Sequence, residues 1–203
     1  MSSLVTLSDY SGELTIKKSR FISFSYAISS EEDALNKLTA LRKKYWDSTH
    51  ICYAYVADES GLTVKSSDDG EPSGTAGAPI LSILTASGYK KSIIAVVRYF
   101  GGTKLGVGGL VKAYSDSAKL VAESCVKKHY EYCSIISIEV DYNQYKKIQS
   151  ALSEEAKVLD SEYLDNVKLE VAIKKDSFLL DKLISLTAGK IITNKKSESY
   201  IEF

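Results

Sequence analysis

Apolar and polar residues alternate from Ile22 through Phe24, Tyr26 and Ile28, with Ser23, Ser25 and Ala27 between them, the two-residue period of a half-buried strand. The period then lengthens. Ser29 and Glu32 form a capping-box signature ahead of Leu35, Leu38, Leu41 and Tyr45, whose spacing predicts a helix. Residues 51–57 and 62–66 read as two strands joined by a turn at Glu59-Ser60-Gly61. A helix is predicted from about Ala78, with Pro79 in its first turn, Ile80, Ile83 and Leu84 facing inward and Gly88 as its stop. Residues 92–99 are dominated by apolar, β-branched side chains, the mark of a strand buried on both faces. Val107, Leu110, Val111, Tyr114, Ala118, Val121 and Cys125 then trace the inner face of a long helix.

The pattern restarts after Lys127-Lys128-His129-Tyr130. A strand at 134–140 leads to Asp141 as a helix N-cap, with Tyr142, Tyr145, Ile148 and Leu152 on one face. A strand near 156–163, a turn at Asp165-Asn166 and an alternating strand at 167–174 follow. Asp176 is placed to cap a last helix carrying Leu179, Leu183 and Leu186, which Gly189 ends before a closing strand near 197–203. The order β-α-β-β-α-β is that of a ferredoxin-like split unit. The fold class is therefore α+β: two α/β domains, 1–130 and 131–203, with no low-complexity linker between them.

Glycine punctuates this pattern unevenly. Eight of the 12 glycines lie in two stretches, Asp68 through Gly77 and Arg98 through Gly109. Such clustering implies backbone paths that a side chain would block, or close approach of a ligand to the main chain. The second stretch joins the apolar strand to a helix N-terminus, where free N–H groups and the helix dipole favour anions. It is no nucleotide signature: Lys104 is followed by Leu105 rather than Ser or Thr, and Val111 stands where a dinucleotide fingerprint needs its third glycine. What it offers is a phosphate or RNA-backbone clamp. Arg98, Lys104 and Lys112 would supply charge, and Tyr99, Gly101, Gly102, Thr103, Gly106, Gly108 and Gly109 the surrounding surface, with Ser73, Gly74 and Thr75 from the first stretch.

The other chemistry is sparser. Asp68, Asp69 and Glu71 could ligate a divalent cation, or pair with Arg98 or Lys104 and cap the loop's own amides; the spacing matches no known cage and favours the capping role. His50 and Cys52 share one strand face and would serve a cysteine hydrolase only if they met each other. No metal or cofactor is implied. Of the 14 tyrosines, Tyr26, Tyr45, Tyr114, Tyr142 and Tyr145 fall on inner faces, so most read as core rather than as base-stacking rings.

Composition sets the bounds. The 203 residues are 44% hydrophobic and 26% charged, and 26 basic residues cancel 26 acidic ones, which speaks against nonspecific nucleic-acid binding by the whole surface. The balance is uneven along the chain: residues 1–130 carry 16 Lys/Arg against 13 Asp/Glu, and residues 131–203 carry 10 against 13. The apolar runs are too short to span a membrane, and the first residues lack a secretory pattern. Cys52, Cys125 and Cys133, odd in number and widely spaced, read as free thiols of a reducing cytoplasm.

These motifs resemble the IMPACT/YigZ family. The matching segments are Ile16 to Ile22, Thr49 to Tyr55, Asp68 to Gly77 with Pro79-Ile80-Leu81, and Val97 to Tyr114, with Ile51 and Lys112 departing from the usual Asn and Arg. The resemblance implies an N-terminal ribosomal-protein-like domain similar to domain IV of elongation factor G, and a ferredoxin-like C-terminal domain similar to its domain V. It implies a cytoplasmic, non-enzymatic binding protein whose partners are RNA or the ribosome, or a translation-related protein as among eukaryotic relatives. The rival reading is a hydrolase using a metal at Asp68/Asp69/Glu71 or the Cys52–His50 pair. Oligomeric state is left open.

Overall fold

The computed structural model describes residues 3–203, which form two compact units, Leu4–Lys128 and His129–Phe203 together with Ser3. Elements run in the order β1 (Ser3–Leu7), β2 (Tyr10–Ile16), β3 (Ser19–Ala27), α1 (Glu31–Lys44), β4 (His50–Val56), β5 (Val64–Ser67), α2 (Gly77–Ala86), β6 (Ser92–Tyr99) and α3 (Val107–Ser124). They continue with β7 (Lys127–Val140), α4 (Tyr142–Glu155), β8 (Ala156–Tyr163), β9 (Val167–Lys174), α5 (Leu179–Leu186) and β10 (Ile192–Glu202). The architecture is mixed α+β. None of the described helices is long and apolar enough to cross a membrane.

In the first unit the sheet order is β2-β3-β6-β4-β5, every ladder antiparallel. Because β5 and β6 both run antiparallel to β4, they run parallel to each other, and the two glycine stretches leave the sheet at the same edge. Strand β6 is buried on both faces. Ile94 and Val96 pack towards α2 and α3 with Ile80, Leu84, Tyr114 and Val121, while Ile93, Ala95 and Val97 pack towards α1 with Leu38 and Leu41. Truncating one such leucine or isoleucine to alanine costs about 2–5 kcal/mol.

Helix α1 is capped one residue later than the pattern predicts. Ser30 Oγ accepts from Asp33 N, and Asp33 Oδ2 accepts from Ser29 N, so Asp33 takes the place expected of Glu32. Val107 and Val111, expected inside, are 65% and 37% exposed, because α3 turns its Leu110–Tyr114–Ala118–Val121 stripe inward and its first turn stands clear of the sheet.

Within the second unit β10, β7, β9 and β8 pair in that order, each of these three ladders antiparallel, with α4 and α5 packed on the face bearing Ile136, Ile138, Leu169 and Val171. Asp141 caps α4 through Gln144 N at 2.7 Å. Asp176 does not cap α5. Ser177 Oγ takes Leu179 N instead, and Leu186 is 41% exposed. Strands β7 and β10 begin earlier than their hydrophobic alternation suggests, since ladder pairing extends into polar segments that the pattern reads as loop.

Candidate functional site

The first glycine stretch is organised by its own acids. Asp68 Oδ1 accepts from Ala76 N and Gly77 N at 2.9 and 2.8 Å, and Oδ2 accepts from Gly74 N at 2.8 Å. Burial, the largest single influence, pushes the Asp68 carboxyl up, but the three backbone donors together bring it below its ordinary value. Asp69 Oδ2 accepts from Ile51 N at 2.6 Å and Oδ1 faces Arg42 at 3.4 Å. Glu71 is buried, and its Oε1 accepts from Arg98 Nη1 at 2.5 Å and from the Tyr114 hydroxyl at 2.7 Å. Gly77 is required by packing: a Cβ there would lie 2.8 Å from the Ser67 backbone.

Arg98 is therefore no free surface cation. It is 5% exposed, paired with Glu71, and its guanidinium lies over the rings of Phe21 and Phe100 at 5.3 and 5.6 Å. Its Nη2 reaches Ser19 Oγ at 3.4 Å and its Nε–H has no protein partner.

The Cys52–His50 pair does not form a dyad. The Cys52 thiol is fully buried, donates to the Asp68 carbonyl and lies 3.3 Å from the Tyr114 hydroxyl, while His50 Nδ1 donates to the Asp69 carbonyl at 2.7 Å. Burial, with Glu71, Asp69 and Asp68 adding to it against the hydrogen bond of Tyr114, pushes the thiol up to about 12. A thiol held protonated in this way is no nucleophile near neutral pH. The three acids are likewise committed, to backbone amides and to Arg98.

The second stretch is built differently. Gly101 lies flat on the hairpin turn between β2 and β3: its N donates to Ser19 Oγ, and a Cβ there would come within 2.1 Å of the Lys18 carbonyl. That turn, Lys17-Lys18, joins paired Ile16 and Ser19, and both lysines hold positive φ, 46° and 68°. Two-residue hairpins of this hand ordinarily take Asn-Gly, so lysine here is strained and leaves two exposed cations beside the loop. Gly102, Thr103 and Lys104 are exposed, Gly109 is half-buried, and Lys104 makes no ion pair or hydrogen bond among the described residues. Gly106 is the N-cap of α3, which has neither a side-chain cap nor an acid in its first turn, and Gly108 leaves that turn bare. Lys112, one turn on, pairs with Asp116 at 2.7 Å. Tyr99 donates to Asp47.

The two stretches meet at a cavity of about 460 Å³. Glu71 and Pro72 line it from the first, and Arg98, Phe100, Lys104, Leu105 and Gly106 from the second, with Val107 and Leu110 of α3 and Thr49 and His50 at the start of β4. Of the residues predicted for the site, Glu71, Arg98, Lys104 and Gly106 come together here. Asp68, Asp69, Thr75 and Gly101 build the loops behind it, and Ser73, Gly74 and Lys112 do not line it. Thr49, Pro72, Phe100, Leu105, Val107 and Leu110 line the cavity without having been proposed for it from the sequence. The turn Phe100 makes out of β6 is visible only in three dimensions.

The chain's matches agree with this arrangement of motifs. The Impact N-terminal domain family matches residues 17–122, and a domain of unknown function, DUF1949, matches residues 138–190. IMPACT family member YvyE of Bacillus subtilis is 35% identical over 193 residues, 94% of this chain and 89% of that protein. IMPACT family member YigZ of Escherichia coli is 35% identical over 161 residues, 78% of this chain and 79% of that one. A crystal structure titled only as that of a hypothetical protein superposes with a TM-score of 0.64 at 31% identity, over 98% of this chain and 100% of the other. With one family spanning both glycine stretches and a full-length relative at this identity, the chain belongs to the IMPACT family.

Proposed function

We propose that this chain is a non-enzymatic binding protein of the translation machinery that holds RNA by its phosphate backbone at the cavity between the glycine stretches. One observation carries the reading: at a single sheet edge, an uncapped helix N-terminus and exposed Lys104 flank a concave surface, with the Lys17-Lys18 turn seated against the same loop. Backbone amides and mobile lysines give sequence-independent attraction to phosphate. Arg98 stiffens the floor instead of touching the ligand, and Lys112 contributes at the rim when Asp116 releases it.

The topology of both units fits the same setting. The strand order β10-β7-β9-β8 supports a ferredoxin-like second domain similar to domain V of elongation factor G, and we assign the first unit the domain IV likeness. Residues 1–130 and 131–203 serve as the working domain division, and the cytoplasm as the compartment.

The test is the affinity of a labelled single-stranded RNA for the wild type and for Lys104→Ala across a salt series. Loss of one phosphate contact lowers affinity and reduces the slope of log K against log salt by about 0.7. An affinity indifferent to salt and to the substitution overturns the reading.

A further inference from the structure

The concave surface does not end at the cavity. Thr49 and His50 also line a second hollow of about 220 Å³, whose walls include Arg42, Trp46 and Asp69. Trp46 follows the last turn of α1, which carries Arg42, Lys43 and Lys44, of which Arg42 lines the hollow, and Trp46 is 82% exposed. Water-exposed indole contributes little to folding, and here it stands at the rim of a groove beside Arg42, whose guanidinium faces Asp69 at 3.4 Å. At the far end Phe100 is 47% exposed beside Lys104. Aromatic faces alternating with cations along one groove match the two parts of an unpaired nucleotide, a π-face and a phosphate.

We propose that the Trp46 hollow is a stacking site for an unpaired base of single-stranded nucleic acid, the strand running from α1 across His50 to Lys104. Trp46 supplies the platform, and Arg42, drawn from Asp69 by the ligand, holds the neighbouring phosphate, with exposed Lys43 and Lys44 adding charge outside the hollow. Between the two ends lies the His50 imidazole, whose Nδ1–H is spent on the Asp69 carbonyl, so that Nε2 is the ring nitrogen left to meet a ligand. A duplex keeps its bases stacked on one another and offers the indole nothing. An acidic peptide would satisfy the lysines and leave the ring unused. The inference rests on the RNA-binding reading above and narrows it to single strands.

Trp46 is the chain's one tryptophan, so emission excited at the red edge of indole absorption, where the 14 tyrosines do not absorb, reports this ring alone. The full chain is titrated with a short oligoadenylate, and emission is compared with the anisotropy of a labelled copy of the same strand. The expected result is quenching that tracks binding, an affinity about 5- to 150-fold lower for Trp46→Ala, partial rescue by Trp46→Phe, and an unchanged unfolding midpoint. Binding by anisotropy with unaltered emission, or with Trp46→Ala at wild-type affinity, overturns the stacking site and leaves RNA binding standing. Equal quenching by duplex RNA or by oligoglutamate also overturns it, the latter in favour of an acidic protein partner. No binding of any strand overturns both readings.

Discussion

The two glycine stretches leave the same edge of one sheet and precede helices of the same unit, yet they handle their free amides in opposite ways. In the first, Asp68 fills three N–H groups with one carboxylate and Glu71 locks the loop to Arg98 and Tyr114. The start of α2 is thereby closed. In the second, no acid lies within the loop, Gly106 caps α3 with backbone alone, and the exposed charge is Lys104, the Arg98–Glu71 pair being buried beneath it. Similar composition thus serves two ends: one loop is saturated and structural, while the other keeps donors in reserve. The difference lies in where the carboxylates fall, not in the glycines.

The sharpest way to break this contrast is Glu71→Ala, which strands Arg98 without its counter-charge in the interior. Unfolding in urea should show a loss of about 3–5 kcal/mol. A loss below about 1 kcal/mol means that the first loop is no more structural than the second. Asp68→Ala comes next. Leaving its amides without an acceptor costs about 1–3 kcal/mol, and the effect should depend on pH. Because the folded value of this carboxyl lies below its unfolded one, its contribution is complete above the ordinary carboxylate range and fades as pH falls through the lowered value. The wild type should therefore lose stability in that acid window, and Asp68→Asn should flatten the loss; parallel curves would remove Asp68 from its assigned role.

On the open side, replacing Lys17 by Asn together with Lys18 by Gly relieves the strained turn. We expect stability to rise by about 1 kcal/mol while RNA affinity falls. A gain in both would show that the lysines serve neither end. The smallest effect belongs to Lys104→Ala, whose melting should stay within about 0.5 kcal/mol of wild type even as binding weakens.

Much of the frame was legible in the chain. The period-two runs, the largely apolar run of 92–99 and the helical stripes located β3, β4, β6, α3 and β9, and the parallel relation of β5 and β6 is what a β-α-β segment dictates. Where it misled, neighbours decided. Ser29 and Ser30 are equally good caps in sequence, and only the position of Asp33 selects the second. Val107 and Val111 match the helical period, but the helix reaches beyond the sheet before its stripe is covered. Arg98 looked like a ligand contact because cations are usually solvated. Its place two residues after Val96, on the face of β6 that packs against α3, was the available sign that it would be buried. Trp46 lies outside every motif and every period, so nothing in the one-dimensional pattern linked it to His50.

Cys52, Cys125 and Cys133 are all unpaired and at most 4% exposed. In the native protein, alkylating reagents have no foothold, so covalent labelling must wait for the chain to open. Two of these sulfurs report on the first unit and the third on the second, which makes the pace of modification under mild denaturation a clock for each half separately. It also means that a cysteine introduced on the surface can carry a dye or a crosslinker without any native residue being removed first.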